Sequence, residues 1–557
     1  MSTSRRVSVS ETTSLLEESP PSYHTTDDVD EAVPEPEADL DPQPLNEFSR
    51  RDTYWILAGL WSAVLLGAFD GTVVATLLTP IGSEFNASNQ SSYIGTSYLL
   101  SVCCFTPLYG RLADILGRKG AMLLALTLFG SGTILCGMAP SMSFLIVARA
   151  VAGMGGGGVM TVSSITVSDF IPLKQRGLYQ GMANILFGLG AGLGGPLGGW
   201  VNDMFGWRTA FFMQACSLVF CFILVTLKVN IRLPSEVQNQ PLSEKLQRVD
   251  VLGSITLVAA VGLLLLGFSL KTTEELAWSH PLISSLLGSS IVCGVGFVYV
   301  EKHWAPFPVM PLRLMTQRTP LAVSISNLLT SMTAFSMLYN IPLRLTNIGP
   351  KYFSAVRLES AAQAGLHLLP HSVAISTGSV FAGWVMRRTG KLYTLTLVSS
   401  LLTILASTLA CLWGPNTSSF HLWLDLVPQG FGMASFITST LIAMIAGVYR
   451  EDMAVATGIT YLFRTTGQVL GVSLSGAILQ GVLLKRLRAR ISGADAEKVS
   501  FRLKSHTTEI ITTLDPLTRQ AAVDSYADAL RVVFICQVAV NVCGLLACLP
   551  IQESPLP

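Results

Sequence analysis

Charge is scarce in this chain of 557 residues: Asp, Glu, Lys and Arg make up 13% of it, beside 50% apolar residues and a mean hydropathy of +0.52. An average soluble domain is about a quarter charged, so these polar residues cannot cover a water-facing surface of this size. They also cluster, leaving long apolar stretches whose solvent must be lipid. An excess of either sign is missing too: 36 basic against 35 acidic residues give a net charge of +1, without the basic face that a nucleic-acid partner requires. The ten cysteines lie inside apolar stretches, with no Cys-x-x-Cys pair and no Cys/His set at metal-ligand spacing, which excludes a zinc or redox framework. No nucleophile-base set is evident, so an enzyme is not expected. Nor is a cofactor. Short alternating segments of the β-barrel kind are absent as well.

What is present falls into two materials. Residues 1–52 are rich in Ser, Thr, Pro, Asp and Glu, bury too little apolar surface to order themselves, and lack the basic start and apolar run of a signal peptide. They read as a disordered cytosolic tail. From Tyr54 onward, apolar runs of about 18–25 residues recur, each able to cross roughly 30 Å of hydrocarbon as a helix. They fall at 54–78, 93–110, 120–139, 143–162, 178–201, 208–228, 250–270, 282–300, 320–343, 363–386, 392–413, 421–448, 455–484 and 530–550. The chain is therefore expected to be an all-α polytopic membrane protein with about fourteen transmembrane helices. Residues 53–230 would form one six-helix bundle and 319–557 a second, with a long non-cytosolic loop at 485–529. A cytosolic loop and two extra helices over 231–318 would separate them.

Lys and Arg set the orientation. Arg50 and Arg51, then Arg111, Arg118 and Lys119, Lys174 and Arg176, Arg232, Lys245 and Arg248, and Arg387, Arg388 and Lys391 mark one side, while the loops 79–92, 139–142 and 414–420 carry none. Both ends of the chain are expected in the cytosol. Arg344, Lys351 and Arg357 break the pattern on the opposite side. The sequons at Asn86, Asn89 and Asn416 fall on the non-cytosolic side, as glycosylation requires.

Four stretches carry the chemistry. Between the second and third runs stands Gly110-Arg111-Leu-Ala-Asp114-Ile-Leu-Gly117-Arg118-Lys119. Its glycines permit a tight turn, and Asp114 can pair with an arginine and cap the following helix, where negative charge is favoured. Such pairs can latch two bundles on the cytosolic side; the plainer alternative is a loop that only sets orientation. In the fourth run Arg149 precedes Gly153, Gly155 and Gly158. A charge inside a span faces the protein interior or a water-filled cavity, so Arg149 needs a carboxylate or carbonyl partner and is at its plainest half of a structural ion pair. The glycine run is no phosphate loop, since no Gly-Lys-Ser/Thr follows. The fifth run holds Gly188, Gly192, Gly195, Pro196, Gly198 and Gly199, which flatten one helix face and kink it. The first run holds Phe69-Asp70-Gly71-Thr72-Val73-Val74, whose Asp70 is a carboxylate deep in an apolar helix, exchanging protons or paired with Arg149. In the second half, Arg464-Thr-Thr-Gly467-Gln468 places another arginine within a span, and His367 and His371 read as packing residues.

The first loop motif, Arg149, the glycine-rich fifth run and the Asp-x-Thr motif together resemble the major facilitator superfamily, in particular its fourteen-span proton antiporters. The resemblance covers nearly everything after residue 53. The stretch Val167-Ser-Asp169-Phe-Ile-Pro-Leu-Lys-Gln-Arg176-Gly177 is similar to a loop of fungal vacuolar basic amino acid transporters. Glu11-Thr-Thr-Ser-Leu15-Leu16 matches an acidic dileucine sorting signal, which a sorting adaptor would read. The resemblance implies a proton-coupled antiporter that moves Lys, Arg and His across the vacuolar membrane, driven by the proton gradient. A drug or toxin exporter of the plasma membrane is the alternative. In either case Asp70, with Arg149 and Arg464, would couple protons to a cationic substrate.

Overall fold

The computed structural model describes residues 48–87, 90–229, 244, 248–274, 276–340, 369–414, 417–490 and 515–553. Among them there is helix and no strand. In chain order the helices are α1 (Arg50–Glu84), α2 (Ser91–Ile115), α3 (Gly117–Gly137), α4 (Met142–Phe170), α5 (Leu173–Phe205), α6 (Trp207–Lys228), α7 (Val251–Thr273) and α8 (Pro281–His303). There follow α9 (Leu312–Thr316), α10 (Arg318–Asn340), α11 (Leu369–Thr389), α12 (Tyr393–Cys411), α13 (Ser419–Leu424), α14 (Val427–Ala446), α15 (Met453–Arg490) and α16 (Pro516–Cys548). Setting aside short α9 and α13 leaves fourteen long helices, each close to an apolar run expected from the sequence. Eleven segments are long and apolar enough by themselves to cross a membrane; α2, α5 and α11 fall short of that measure because small and polar residues occupy them.

Local chemistry sets the ends. α2 and α3 are joined through Leu116 alone, which Gly117 allows by taking φ +82°, a conformation open to glycine without strain. Ser141 caps α4 by accepting from the Phe144 amide at 3.3 Å, and Asp250 caps α7 through the Gly253 amide at 2.8 Å. The segment expected as a loop over 485–529 is helical at both ends. α15 runs to Arg490, and α16 starts at Pro516, where Asp515 accepts from the Thr518 amide. Residues 491–514 lie outside the described residues, as do Glu11, Leu15, Leu16, Asn89, Arg344, Lys351, Arg357, His367 and Asn416. Asn86 is described: it is exposed just beyond α1, at φ +51°.

Lipid tails are as apolar as leucine, so helices in a bilayer gain little by hiding apolar surface from it. Close backbone approach and interhelical hydrogen bonds hold them together instead. Both devices are present here. A Cβ at Gly132 would lie 2.3 Å from the Ala152 amide nitrogen, and one at Gly155 would lie 2.2 Å from that of Phe129, so α3 and α4 touch through backbone. In the second half uncharged polar side chains join helices: Thr333 donates to Asn541 at 2.7 Å, Asn541 to Ser407 at 2.6 Å, and Gln537 to Ser336 at 2.6 Å. Each such bond contributes about 0.6 kcal/mol on average in a membrane.

The first six helices pack mainly on one another, as do α10–α16, and two seams connect these groups. In one, a Cβ at Gly110 of α2 would fall 2.8 Å from the Ala454 carbonyl of α15, beside Gly458. In the other, Gly177 and Gly181 of α5 meet Gly383 and Ser379 of α11. Gly110, Gly177 and Gly383 all lie near the helix ends that carry the basic loops. α7 lies along both α2 and α15: Thr272 donates to the Ser473 carbonyl at 3.1 Å, and Tyr93 bonds Glu274.

Candidate functional site

Asp70 is not a lone carboxylate. Arg149 Nη1 donates to both of its oxygens, at 3.0 Å and 2.8 Å, tying α1 to α4. Asp70 is 0% exposed and Arg149 1%, so the expectation that a substrate cation meets Asp70 directly does not hold in this conformation. The physical reason is simple: two opposite charges in a low-dielectric interior lower each other's cost only by touching. The guanidinium also lies 4.2 Å over the Tyr98 ring of α2, a residue that the sequence did not single out. The glycine run makes room for that ring. A Cβ at Gly153 would sit 2.4 Å from the Tyr98 carbonyl, and one at Gly156 would sit 2.5 Å from its hydroxyl. Arg149, Gly153 and Gly156 share a helix face by their i, i+4, i+7 spacing, the signal that could have revealed it.

The glycines of α5 need a correction. Gly188, Gly192, Gly195, Pro196 and Gly199 do not form the tight contact. A Cβ at Gly192 or Gly199 would meet nothing within 4 Å, and Pro196 is exposed. Gly190, Gly194 and Gly198 form it. Their added Cβ atoms would reach the Leu65 carbonyl (2.2 Å), the Phe69 carbonyl (2.6 Å) and Thr76 Oγ1 (2.9 Å) of α1. Of the expected set only Gly198 lies on this face. The glycine stripe therefore seats α5 on the same stretch of α1 that bears Asp70. α5 passes Pro196 without interruption.

The loop motif is also built differently from expectation. Arg118 donates to Asp114 at 2.7 Å and to Asp169 at 2.6 Å, so it clasps α2, α3 and the end of α4 within one group of helices. It does not latch the two groups together. Nor does Asp114 cap α3, whose N-cap is Leu116 with no side-chain bond. The reach of Arg118 across a single-residue turn brings Asp114 back onto it. Arg111 stacks 5.5 Å from the Phe307 ring, and Lys119 is partly buried. Gly110, rather than the charges, makes the contact with α15.

Between the two groups lies a narrow cleft lined by α1, α4, α5 and α15, including Trp61, Ser164, Tyr179, Gln180, Asn184 and Tyr461. Ser164 donates to Gln180 (3.2 Å), Gln180 to Asn184 (3.4 Å) and Asn184 to Ser379 of α11 (2.7 Å), a polar chain crossing the cleft. Trp61 and Tyr179 stand 6.3 Å apart, centroid to centroid. Trp61 keeps its buried indole N–H without a partner among the described residues. Arg464 of α15 lies 5.6 Å from the ring of Tyr461. His371 is buried, with Nδ1 3.0 Å from the Leu426 carbonyl, as a packing residue should be. No group of side chains that could hold a metal occurs among the described residues.

Residues 60–472 match the family model for the Major Facilitator Superfamily. The chain belongs to this superfamily. Among superfamily relatives, it is 36% identical to the Multidrug resistance protein fnx1 of Schizosaccharomyces pombe, over 89% of this chain and 92% of that protein. It is 33% identical to the Vacuolar membrane amino acid uptake transporter fnx2 of the same yeast, over 86% of this chain and 81% of that one. It is 32% identical to the Vacuolar basic amino acid transporter 1 of Saccharomyces cerevisiae, over 81% and 83%. A bacterial homologue of the human lysosomal transporter Spinster, solved inward-facing and unoccupied, shares the superfamily fold at TM-score 0.55 and 15% identity, covering 90% of this chain and 98% of that one. The protein is thus a multi-pass membrane transporter of small molecules and not an enzyme, as its sequence indicated.

Proposed function

We propose that this transporter is a fourteen-span proton-coupled antiporter carrying the basic amino acids Lys, Arg and His from cytosol to vacuole. The observation that carries the coupling is the buried Asp70–Arg149 pair. A proton on Asp70 cancels the pair's attraction and leaves an unneutralised guanidinium between α1 and α4. Breaking a buried pair from one side costs about 3–5 kcal/mol, so protonation drives the two helices to rearrange. Because Gly190, Gly194 and Gly198 fix α5 to α1, that movement reaches the α5–α11 seam. The contacts at Gly110, Gly177 and Gly383 then form a closed cytosolic side, whose opening alternates with opening to the lumen.

The substrate's cation is received by the cleft rather than by Asp70. Trp61, Tyr179 and Tyr461 offer aromatic faces to an ammonium, guanidinium or imidazolium, and Gln180 and Asn184 offer amide oxygens. The similarity to vacuolar basic amino acid transporters supports this cargo and this membrane. Proton-dependent arginine uptake by vacuolar vesicles tests the reading: uptake that vanishes with an uncoupler supports it, and uptake indifferent to the gradient refutes it.

A second reading, a multidrug–proton antiporter of the plasma membrane, is favoured by the similarity to fnx1. Drug resistance on overexpression, with no arginine flux, would select it.

A further inference from the structure

We infer that Arg464 holds the carboxylate of the transported solute, so that this cleft selects carboxylate-bearing solutes, amino acids among them, over cations that lack one. The inference deepens the reading above and rests on it.

The neighbours of α15 fix where Arg464 stands. Gly467 and Gly471 press on α10, where added Cβ atoms would lie 2.2 Å from the Leu328 carbonyl and 2.0 Å from that of Met332. Gly458 faces α2. Leu462 packs on the α7 side with Leu257 and Val261. At 100° per residue, Arg464 and Gln468 fall between the α10 face and the α2 face, toward the space between the two groups of helices. Arg464 is partly buried, inside a helix long enough to span the membrane. Among the described residues its guanidinium stands 5.6 Å from the Tyr461 ring and makes no hydrogen bond or ion pair, and Tyr461 lines the cleft. Gln468, one turn on, makes no side-chain hydrogen bond there either.

The contrast with Arg149 decides the assignment. Arg149 has Asp70 and needs no ligand. Arg464 has no anion among the described residues, and an unpaired charge at membrane depth is retained where a cavity or a ligand satisfies it. A guanidinium presents a planar fork of N–H donors that matches a carboxylate in bidentate fashion, which an ammonium does not. Tyr461 links the two ends of the site. It lies beneath Arg464 and shares the narrow cleft with Trp61 and Tyr179, so an amino acid admitted as the cleft widens would place its carboxylate on Arg464 and its cationic side chain among the rings.

The test compares arginine, lysine and histidine with their decarboxylated counterparts agmatine, cadaverine and histamine. The full-length protein in liposomes is assayed for counterflow of labelled arginine, and the detergent-solubilised protein for ligand protection against thermal unfolding. Wild type should prefer each amino acid by about tenfold or more, because a site built for a polar group rejects the analogue lacking it. Arg464→Gln should raise the KM for arginine by about tenfold and leave agmatine unchanged, with Arg464→Lys between. Agmatine competing as well as arginine in wild type overturns the inference, and needs no variant to fold. So does an equal loss for both ligands in Arg464→Gln. Protection by the amino acids without arginine transport would refute the proposed function and leave the inference standing. Protection by no ligand would refute both.

Discussion

Arg149 holds both oxygens of Asp70 through one nitrogen, Nη1, at 3.0 and 2.8 Å, while its buried Nε has no hydrogen-bond partner among the described residues. The guanidinium is therefore held by the carboxylate through one nitrogen and by the face of the Tyr98 ring.

Asp70→Asn should abolish proton-driven transport. The variant leaves Arg149 buried beside a neutral amide, so stability should fall by about 3–5 kcal/mol. Adding Arg149→Gln should restore much of that stability and none of the coupling. Thermal unfolding together with pH-driven uptake checks both; proton-driven uptake by Asp70→Asn would remove Asp70 from the coupling step.

The glycines of α5 should separate by face. Gly194→Ala places a Cβ 1.9 Å from Thr72 Oγ1 and 2.6 Å from the Phe69 carbonyl, whereas Gly192→Ala meets nothing within 4 Å. Overpacking of this kind costs about 1–3 kcal/mol, and the Gly192 change should stay within about 0.5 kcal/mol. Equal melting temperatures for the two variants would contradict the α1–α5 contact.

At the end of α1 away from the basic loops, beyond the span that ends at Leu78, Glu84 accepts from Arg208 and from the Trp207 indole. The hydrogen bond from Arg208, then that from Trp207, holds its carboxyl below the usual value of 4.5. A lowered carboxylate pKa stabilises the fold above the unfolded value, and the contribution is lost as pH falls through the folded one. Glu84→Gln should thus destabilise at pH 7 and pH 5 alike, by at most about 1 kcal/mol because the pair is exposed. The difference should close below about pH 4. A difference that closes between pH 7 and pH 5 would rule out this assignment.

Leu15→Ala with Leu16→Ala should redirect the protein from the vacuolar membrane to the cell surface without reducing its arginine flux. Fluorescence microscopy of tagged protein checks this; unchanged vacuolar delivery would dismiss the signal.

Much of this architecture was legible in the sequence, because a bilayer demands long apolar runs and gives them clear lengths. The runs at 120–139 and 208–228 lie within three residues of α3 and α6 at each end. α16 begins fourteen residues earlier than 530, since Pro516 and the Asp515 cap start it in a polar stretch that hydropathy overlooks. Arg149 could be named as a partner for Asp70 because each was a charge needing an opposite one. What composition could not show was direction. Gly190, Gly194 and Gly198 look like their neighbours until α1 is placed against them. Trp61, Tyr179 and Tyr461 stand on three helices that only tertiary packing brings to one cleft. Arg118 finds Asp169, 51 positions away, through a turn that only Gly117 permits.

The most direct test uses the purified protein in sealed liposomes loaded with a pH-sensitive dye, under an imposed proton gradient. Adding arginine should release protons in wild type and none in Asp70→Asn. Arginine entry with no proton movement in wild type, or proton release that persists in Asp70→Asn, would contradict coupling through this ion pair.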